Sequence, residues 1–134
     1  MKVKYSNDYS SLSEDEKLKK LEDTCKDELS YLIDDGLKLD IEKMFFVDDN
    51  IKTLININKG YDIDFLWKDI EDDIITLLTL LNSKYTLLRW YGDGSPQISF
   101  QYNDNSYKLF ELDNLLNNEI IKGKIQEIKI RLYV

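Results

Sequence analysis

The segment from Tyr61 to Asn82 constrains the fold more than any other part of this sequence. Its apolar residues recur at spacings of three and four, which predicts an amphipathic helix. In its second half, from Ile74 to Leu81, only Thr76 and Thr79 interrupt the apolar side chains. A helix that is apolar all round must be covered on more than one side. We therefore expect this helix at the centre of the core, and we expect any part of it that stays exposed to contact a partner.

The first half of the same helix is acidic. Asp62 and Asp64 are candidate N-caps, and negative charge in the first turns suits the positive end of the helix dipole. Asp69, Asp72 and Asp73 follow on the side that faces water. Carboxylates are ligands for Mg²⁺ and Ca²⁺, but the spacing lacks the glycine and the closing glutamate of a calcium loop. We interpret this half as a capped, solvated helix start, with Asp69, Asp72 and Asp73 as candidate contacts for a basic partner.

The chain before this segment predicts a second long helix. It begins at Ser11 or Ser13, and Ser13 followed by Glu16 fits a capping box. Gly36 fits a left-handed helix terminator. The apolar stripe of this helix consists of Leu18, Leu21, Cys25, Leu29 and Leu32. Cys25 is the single cysteine, and its place on the stripe predicts a buried, inert thiol rather than a nucleophile.

A β-hairpin is predicted between the two helices. Residues 37–47 and 51–57 alternate between apolar and polar side chains, and a polar turn at 48–50 separates them. The alternation slips by one residue at Lys43 and Met44. Such a slip indicates a bulge or a break in the first strand.

The chain after the long helix predicts further strands. Residues 97–102 and 107–110 alternate around a polar turn and suit a second hairpin, and residues 128–134 show the clearest strand pattern. Residues 113–118 suit one helical turn. Residues 83–91 fit either a continued helix or a strand, so both assignments stay open.

Together these elements predict one α+β domain spanning residues 1–134. Two long helices pack on one mixed or antiparallel sheet, which gives a two-layer sandwich. Residues 1–5 suit a short strand. With that strand, the first six elements match the ferredoxin-like order βαββαβ, and the remaining strands extend the same sheet.

The charge of the chain excludes several function classes. It has 26 acidic against 18 basic residues, a net charge of −8 at pH 7. That charge disfavours both direct nucleic-acid binding and contact with an anionic membrane, and it allows a basic protein partner. No signal peptide is visible, and no apolar run is long enough to span a bilayer. We therefore expect a cytoplasmic protein.

No catalytic constellation is visible in the sequence. The chain has no histidine, which removes the commonest general base and the commonest transition-metal ligand. Gly92 and Gly94 lack the third glycine and the Lys-Ser/Thr pair of a phosphate-binding loop. We predict a protein that is not an enzyme and that needs no cofactor or metal. A metal-dependent enzyme is a further alternative.

Aromatic residues are frequent in the second half of the chain. Aromatic side chains favour strands and fill cores, but tryptophan and tyrosine also concentrate at binding hot spots. Trp90, Tyr91 and Tyr102 flank predicted loops. They are the candidates for an exposed partner-binding patch.

The run CKDELSYLIDDGLKLDI, from Cys25 to Ile41, resembles small proteins of large AT-rich tailed phages. Those proteins often carry a helix that ends in a Leu-x-Asp-(Glu/Asp)-Gly turn into a strand, here Leu32, Asp34, Asp35 and Gly36. With the hairpin and long helix that follow, the resemblance covers about the first two-thirds of the chain. Such proteins have no agreed activity, so no functional residue carries over. The resemblance implies a viral origin, with the host cytoplasm or the virion as the location.

Two function hypotheses follow. The first is a non-enzymatic protein–protein interaction protein, such as a small phage virion or assembly component, acting as a homo-oligomer or in a larger assembly. The second is an acidic inhibitor, a nucleic-acid mimic or anti-defence protein, that blocks a host protein. A mimic needs its carboxylates in a contiguous stripe, whereas dispersed charge favours the first hypothesis.

Overall fold

The computed structural model describes residues 13–61, 63–117, 119 and 121–134. The strand predicted at residues 1–5 lies outside this part of the chain. In chain order, the described elements are α1 (Glu14–Glu28), α2 (Ser30–Asp34), β1 (Lys38–Val47), β2 (Asn50–Asn58), α3 (Trp67–Lys84), β3 (Thr86–Leu87), β4 (Gln97–Tyr102), β5 (Tyr107–Glu111), α4 (Leu112–Leu116) and β6 (Ile125–Tyr133).

The six strands form one sheet in which every described pairing is antiparallel. The order is β1-β2-β6-β4-β5, and the short β3 pairs with the end of β6. The predicted α+β class and the two long helices are confirmed. The ferredoxin-like order is not confirmed, because its first strand lies in residues 1–5. It stays a prediction.

The two faces of the sheet differ because side chains alternate along each strand. On β2 the residues of the inner face are buried and those of the outer face are half-buried. The inner face and all four helices contribute apolar side chains to one core. The helices of the described chain therefore cover the inner face and not the outer face, where Gln97 and Ser99 of β4 are nevertheless buried.

Helix α3 lies in the helical layer between α1 and α4, and it contacts both. Ile74, Leu77, Leu78 and Leu81 are fully buried. The apolar second half predicted from the sequence is thus covered within one chain. Its other apolar residues, Ile75 and Leu80, are half-buried, so this half leaves little apolar surface for a partner.

The start of α3 differs from the sequence prediction. The helix begins at Trp67, its N-cap is Leu66, and no side chain caps it, so the prediction of Asp64 as N-cap is wrong. Phe65 and Ile125 exchange two backbone hydrogen bonds of 2.9 and 2.8 Å. These bonds hold the chain extended where the pattern suggested a first helical turn. The other candidate cap, Asp62, lies outside the described residues.

The capping box predicted for α1 is confirmed. The Ser13 side chain accepts a hydrogen bond from Glu16 N (3.1 Å), and Glu16 Oε1 accepts one from Ser13 N (3.2 Å). The single helix predicted up to Gly36 is interrupted at Leu29, which separates α1 from α2. Gly36 then turns the chain into β1 with a positive φ of 105°.

The bulge predicted in β1 is also confirmed, between Lys43 and Phe45. Beyond it, Phe45 lies opposite Lys52 on the outer face and Phe46 lies opposite Ile51. Strand β1 is an edge of the sheet, and Met44, Phe45 and Phe46 are exposed near its end.

Candidate functional site

The outer face of the sheet carries an irregular segment, residues 88–96, between β3 and β4. We call it the aromatic loop. Leu88 N donates to Arg131 O (2.8 Å), and Gln97 N donates to Leu88 O (3.2 Å), so the loop begins and ends on the sheet. Trp90 and Tyr91 lie near its start.

Arg89 fastens this loop through its guanidinium group. Its Nε donates to Tyr91 O (2.6 Å), and its Nη1 donates to Ser95 O (2.8 Å). The same Nη1 contacts both carboxylate oxygens of Glu111 in β5, at 2.8 and 2.7 Å. Charge-assisted hydrogen bonds are roughly twice as strong as neutral ones. The loop is therefore closed on itself and tied to the edge strand β5.

Gln97, at the start of β4, fixes the backbone of Trp90 and Tyr91. Its Oε1 accepts hydrogen bonds from Trp90 N (3.0 Å) and Tyr91 N (3.3 Å). Gln97 is buried. A buried amide with satisfied hydrogen bonds is costly to displace, so the backbone of Trp90 and Tyr91 has a defined position.

The rings form one surface, which we call the aromatic site: Trp90, Tyr91 and Tyr107, with Arg131. The Arg131 guanidinium carbon lies 4.4 Å from the centre of the Trp90 ring, a cation–π contact. Tyr91 is 64% exposed and Tyr107 is 60% exposed. Their side chains are hydrogen-bonded, and this bond raises the pKa of Tyr107.

The structure brings together two of the three aromatic residues predicted as a patch. Trp90 and Tyr91 are neighbours in the aromatic loop, but Tyr102 is the last residue of β4 and lies opposite the buried Ile125. Tyr102 is half-buried, packs against the core, and its burial raises the pKa of its hydroxyl. It does not belong to the aromatic site. The third aromatic residue of the site is Tyr107 of β5. Side chains alternate along β5, so Tyr107 points to the outer face while Phe110 points to the core, and this alternation can be read from the sequence.

The predicted acidic contacts lie elsewhere. Asp69, Asp72 and Asp73 are on α3, on the opposite side of the sheet from the aromatic site. Asp69 and Asp72 are exposed and Asp73 is half-buried. Within the described ranges, none of the three forms an ion pair. No three acidic or cysteine side chains of the described residues converge to hold a metal ion.

Charge is distributed unevenly between helices and strands. The four helices carry 13 carboxylates and six lysines, whereas the strands carry four carboxylates and six cations. On α1, Lys19 contacts Glu22 and Asp23, and Lys26 contacts Glu22. The acidic surface of α1 is therefore interleaved with lysines and does not form a contiguous stripe.

Cys25 lies in the core between α1 and the rest of the fold. It is 0% exposed, and burial raises the pKa of its thiol to about 12. The buried thiol predicted from the sequence is confirmed. A protonated, inaccessible thiol is a poor nucleophile.

Comparisons with known proteins do not place this chain in a family. No protein-family model, curated protein or solved structure matches it. In the part of the chain that the structure describes, no helix has the length and apolar character needed to cross a membrane. Function is therefore argued from the geometry of the aromatic site.

Proposed function

We propose that this protein is a non-enzymatic protein-binding protein whose partner docks on the aromatic site. The observation that carries the proposal is that a tryptophan and a neighbouring exposed tyrosine are held on the outer sheet face by the buried Gln97 and by the half-buried pair Arg89 and Glu111. Tryptophan, tyrosine and arginine dominate interface hot spots. Rings that are already positioned lose little conformational freedom on binding, so more of the contact energy appears as affinity.

The anchoring separates this site from scattered aromatic residues on the surface. Tyr31 is 85% exposed and Tyr61 is 97% exposed, but they lie on different segments and belong to no aromatic pair among the described residues. Single exposed apolar residues are normal in folded proteins and indicate no site. The aromatic site, in contrast, depends on hydrogen bonds made by Arg89, Glu111 and Gln97 together. Such a specific arrangement supports a binding role for this surface.

The resemblance to small phage proteins supports a role in a virion or in its assembly. Small proteins without catalytic residues act in such assemblies through contacts with larger partners or with further copies of themselves. The aromatic site provides that contact surface in this proposal.

The test is affinity capture from cells of the source organism. Replacing both exposed tyrosines of the site, Tyr91→Ala with Tyr107→Ala, should reduce the captured partner by about tenfold or more, since truncating a hot spot costs about 2 kcal/mol. The matched control, Tyr31→Ala with Tyr61→Ala, removes two tyrosines that are even more exposed and lie elsewhere, and it should leave capture unchanged. Capture that survives the first pair, or that both pairs abolish equally, contradicts the proposal.

The acidic inhibitor is the second candidate function. It is favoured by the uncompensated carboxylates of Asp69, Asp72 and Asp73 on α3. Its weakness is the interleaved charge on α1, which limits the acidic surface to the start of one helix. Replacing the three aspartates by asparagine separates the two functions. Loss of partner capture in this variant favours the inhibitor, whereas unchanged capture favours the aromatic site.

A further inference from the structure

A groove of about 1020 Å³ opens between α1 and the segment in which α3 passes into β3. This volume is at the upper end of the range for ligand pockets, about 300–1,000 Å³. Tyr85 and Tyr133 line it and offer flat apolar surfaces. No residue of the aromatic site contributes to it, so the groove is a separate feature of the molecule.

The wall formed by α1 changes charge along its length. Lys17 and Lys20 lie toward the N-terminal end of the helix, and Asp23 and Asp27 lie toward its C-terminal end. Asp23 contacts Lys19 at 3.1 Å, which offsets part of its charge. Asp27 forms no ion pair with a described residue. The groove is thus cationic at one end and anionic at the other.

Lys84 adds to the cationic end. Lys17 Nζ donates to Asp49 O (3.4 Å) in the turn between β1 and β2, so the start of α1 lies at that end of the sheet. Thr86, two residues after Lys84, pairs with Tyr133, which in turn lies opposite Lys52 close to the same turn. Helix α3 therefore ends where α1 begins, and Lys84 and Lys17 share one end of the groove.

The separation of the charges matches a short extended peptide. Lys17 and Asp27 are ten residues apart on α1, a rise of about 15 Å at about 1.5 Å per residue. An extended chain advances about 3.3 Å per residue, so about four or five residues cover this distance. An acidic and a basic side chain spaced in this way reach opposite ends of the groove.

We propose that the groove binds an extended peptide segment of a partner protein, with an acidic side chain at the Lys17–Lys84 end and a basic side chain at the Asp27 end. Tyr85 and Tyr133 lie beside Lys84 and Thr86 at the cationic end, and their rings contact the residues that adjoin the acidic side chain. This proposal does not depend on the aromatic site, because the two surfaces share no residue.

The test uses two synthetic peptides of identical composition. The first, acetyl-Glu-Glu-Tyr-Gly-Lys-Lys-amide, separates its charges as the groove does, and the second alternates them as Glu-Lys-Tyr-Gly-Glu-Lys. Titration followed by amide NMR should give saturable shifts at Thr24, Ser83 and Thr86 with the first peptide. We expect the alternating peptide to bind at least about fivefold more weakly, since its charges cannot meet both ends.

A charge-reversed variant tests whether the cationic end of the groove binds the acidic side chains of the peptide. Lys17→Glu with Lys84→Glu should weaken binding of the first peptide by about tenfold, because two attractive contacts become repulsive. The control, Lys68→Glu with Lys122→Glu, makes the same change in net charge away from the groove and should keep the affinity. The proposal is overturned if the first peptide shifts no groove amide at millimolar concentration, if both peptides bind equally, or if both variants lose affinity equally.

Discussion

At the scale of single residues, the aromatic loop depends on the fit between Arg89 and Gly94. Arg89 reaches the carbonyl groups of Tyr91 and Ser95 and the carboxylate of Glu111 at once, which needs the planar fork of a guanidinium group. Gly94 has a φ of +134°, and a Cβ built there would lie 3.4 Å from Arg89 Nη1. That backbone conformation is strained for any other residue. Glycine is therefore required at this position.

We predict that Gly94→Ala weakens both the fold and partner binding. The strained backbone should lower the free energy of unfolding by about 1–3 kcal/mol, and its rearrangement between Arg89 and Ser95 should loosen Trp90 and Tyr91. Urea denaturation and partner capture measure the two effects. Gly36→Ala is the control, because Gly36 also has a positive φ, of 105°, but its Cβ would meet nothing within 4 Å. It should lose stability and keep binding. Partner binding by Gly94→Ala at the original level would contradict the anchoring role.

At the scale of elements, the sequence predicts features that depend on nearby residues, and it does not predict features that depend on strand pairing between distant residues. The capping box at Ser13 and the bulge after Lys43 were visible because each is encoded within a few residues. The delayed start of α3 was not, because Phe65 is held by Ile125, sixty positions later in the chain. At β3 the sequence pattern does not decide between helix and strand for the same reason, since two residues become a strand only by pairing with β6. Strand partners far away in the chain leave no local pattern.

The start of α1 gives a prediction about pH. The backbone and side-chain hydrogen bonds with Ser13 lower the pKa of Glu16. Because the folded pKa is the lower one, this contribution to stability is present above the pKa of the unfolded chain and is lost as the pH falls through the folded pKa. Thermal melts of Glu16→Gln should therefore lose less stability than the wild type on acidification through that range. An identical acid-side slope in both proteins would show that the capping box contributes nothing there.

At the scale of the whole molecule, the sheet has one face that the helices cover and one face that they do not cover. The helices and their carboxylates lie on the inner side, and the aromatic site lies on the outer side. Part of this site can be predicted from the sequence, because Trp90 and Tyr91 precede a glycine-rich break. The same rule selects Tyr102, but the fold packs that side chain against the core. The ion pair between Arg89 and Glu111 joins residues that only the fold brings together, so the anchor could not be predicted.

The central claim is that a partner binds the outer sheet face through the aromatic site. Hydrogen exchange of the backbone amides, compared between the free protein and its complex with the captured partner, tests this claim most directly. We expect slower exchange in the complex at residues 88–96 and 107–111, because a docked partner excludes water there. Exchange in α1 and in the first turns of α3 should stay unchanged. Protection confined to those helices, with residues 88–96 exchanging as in the free protein, would contradict the account.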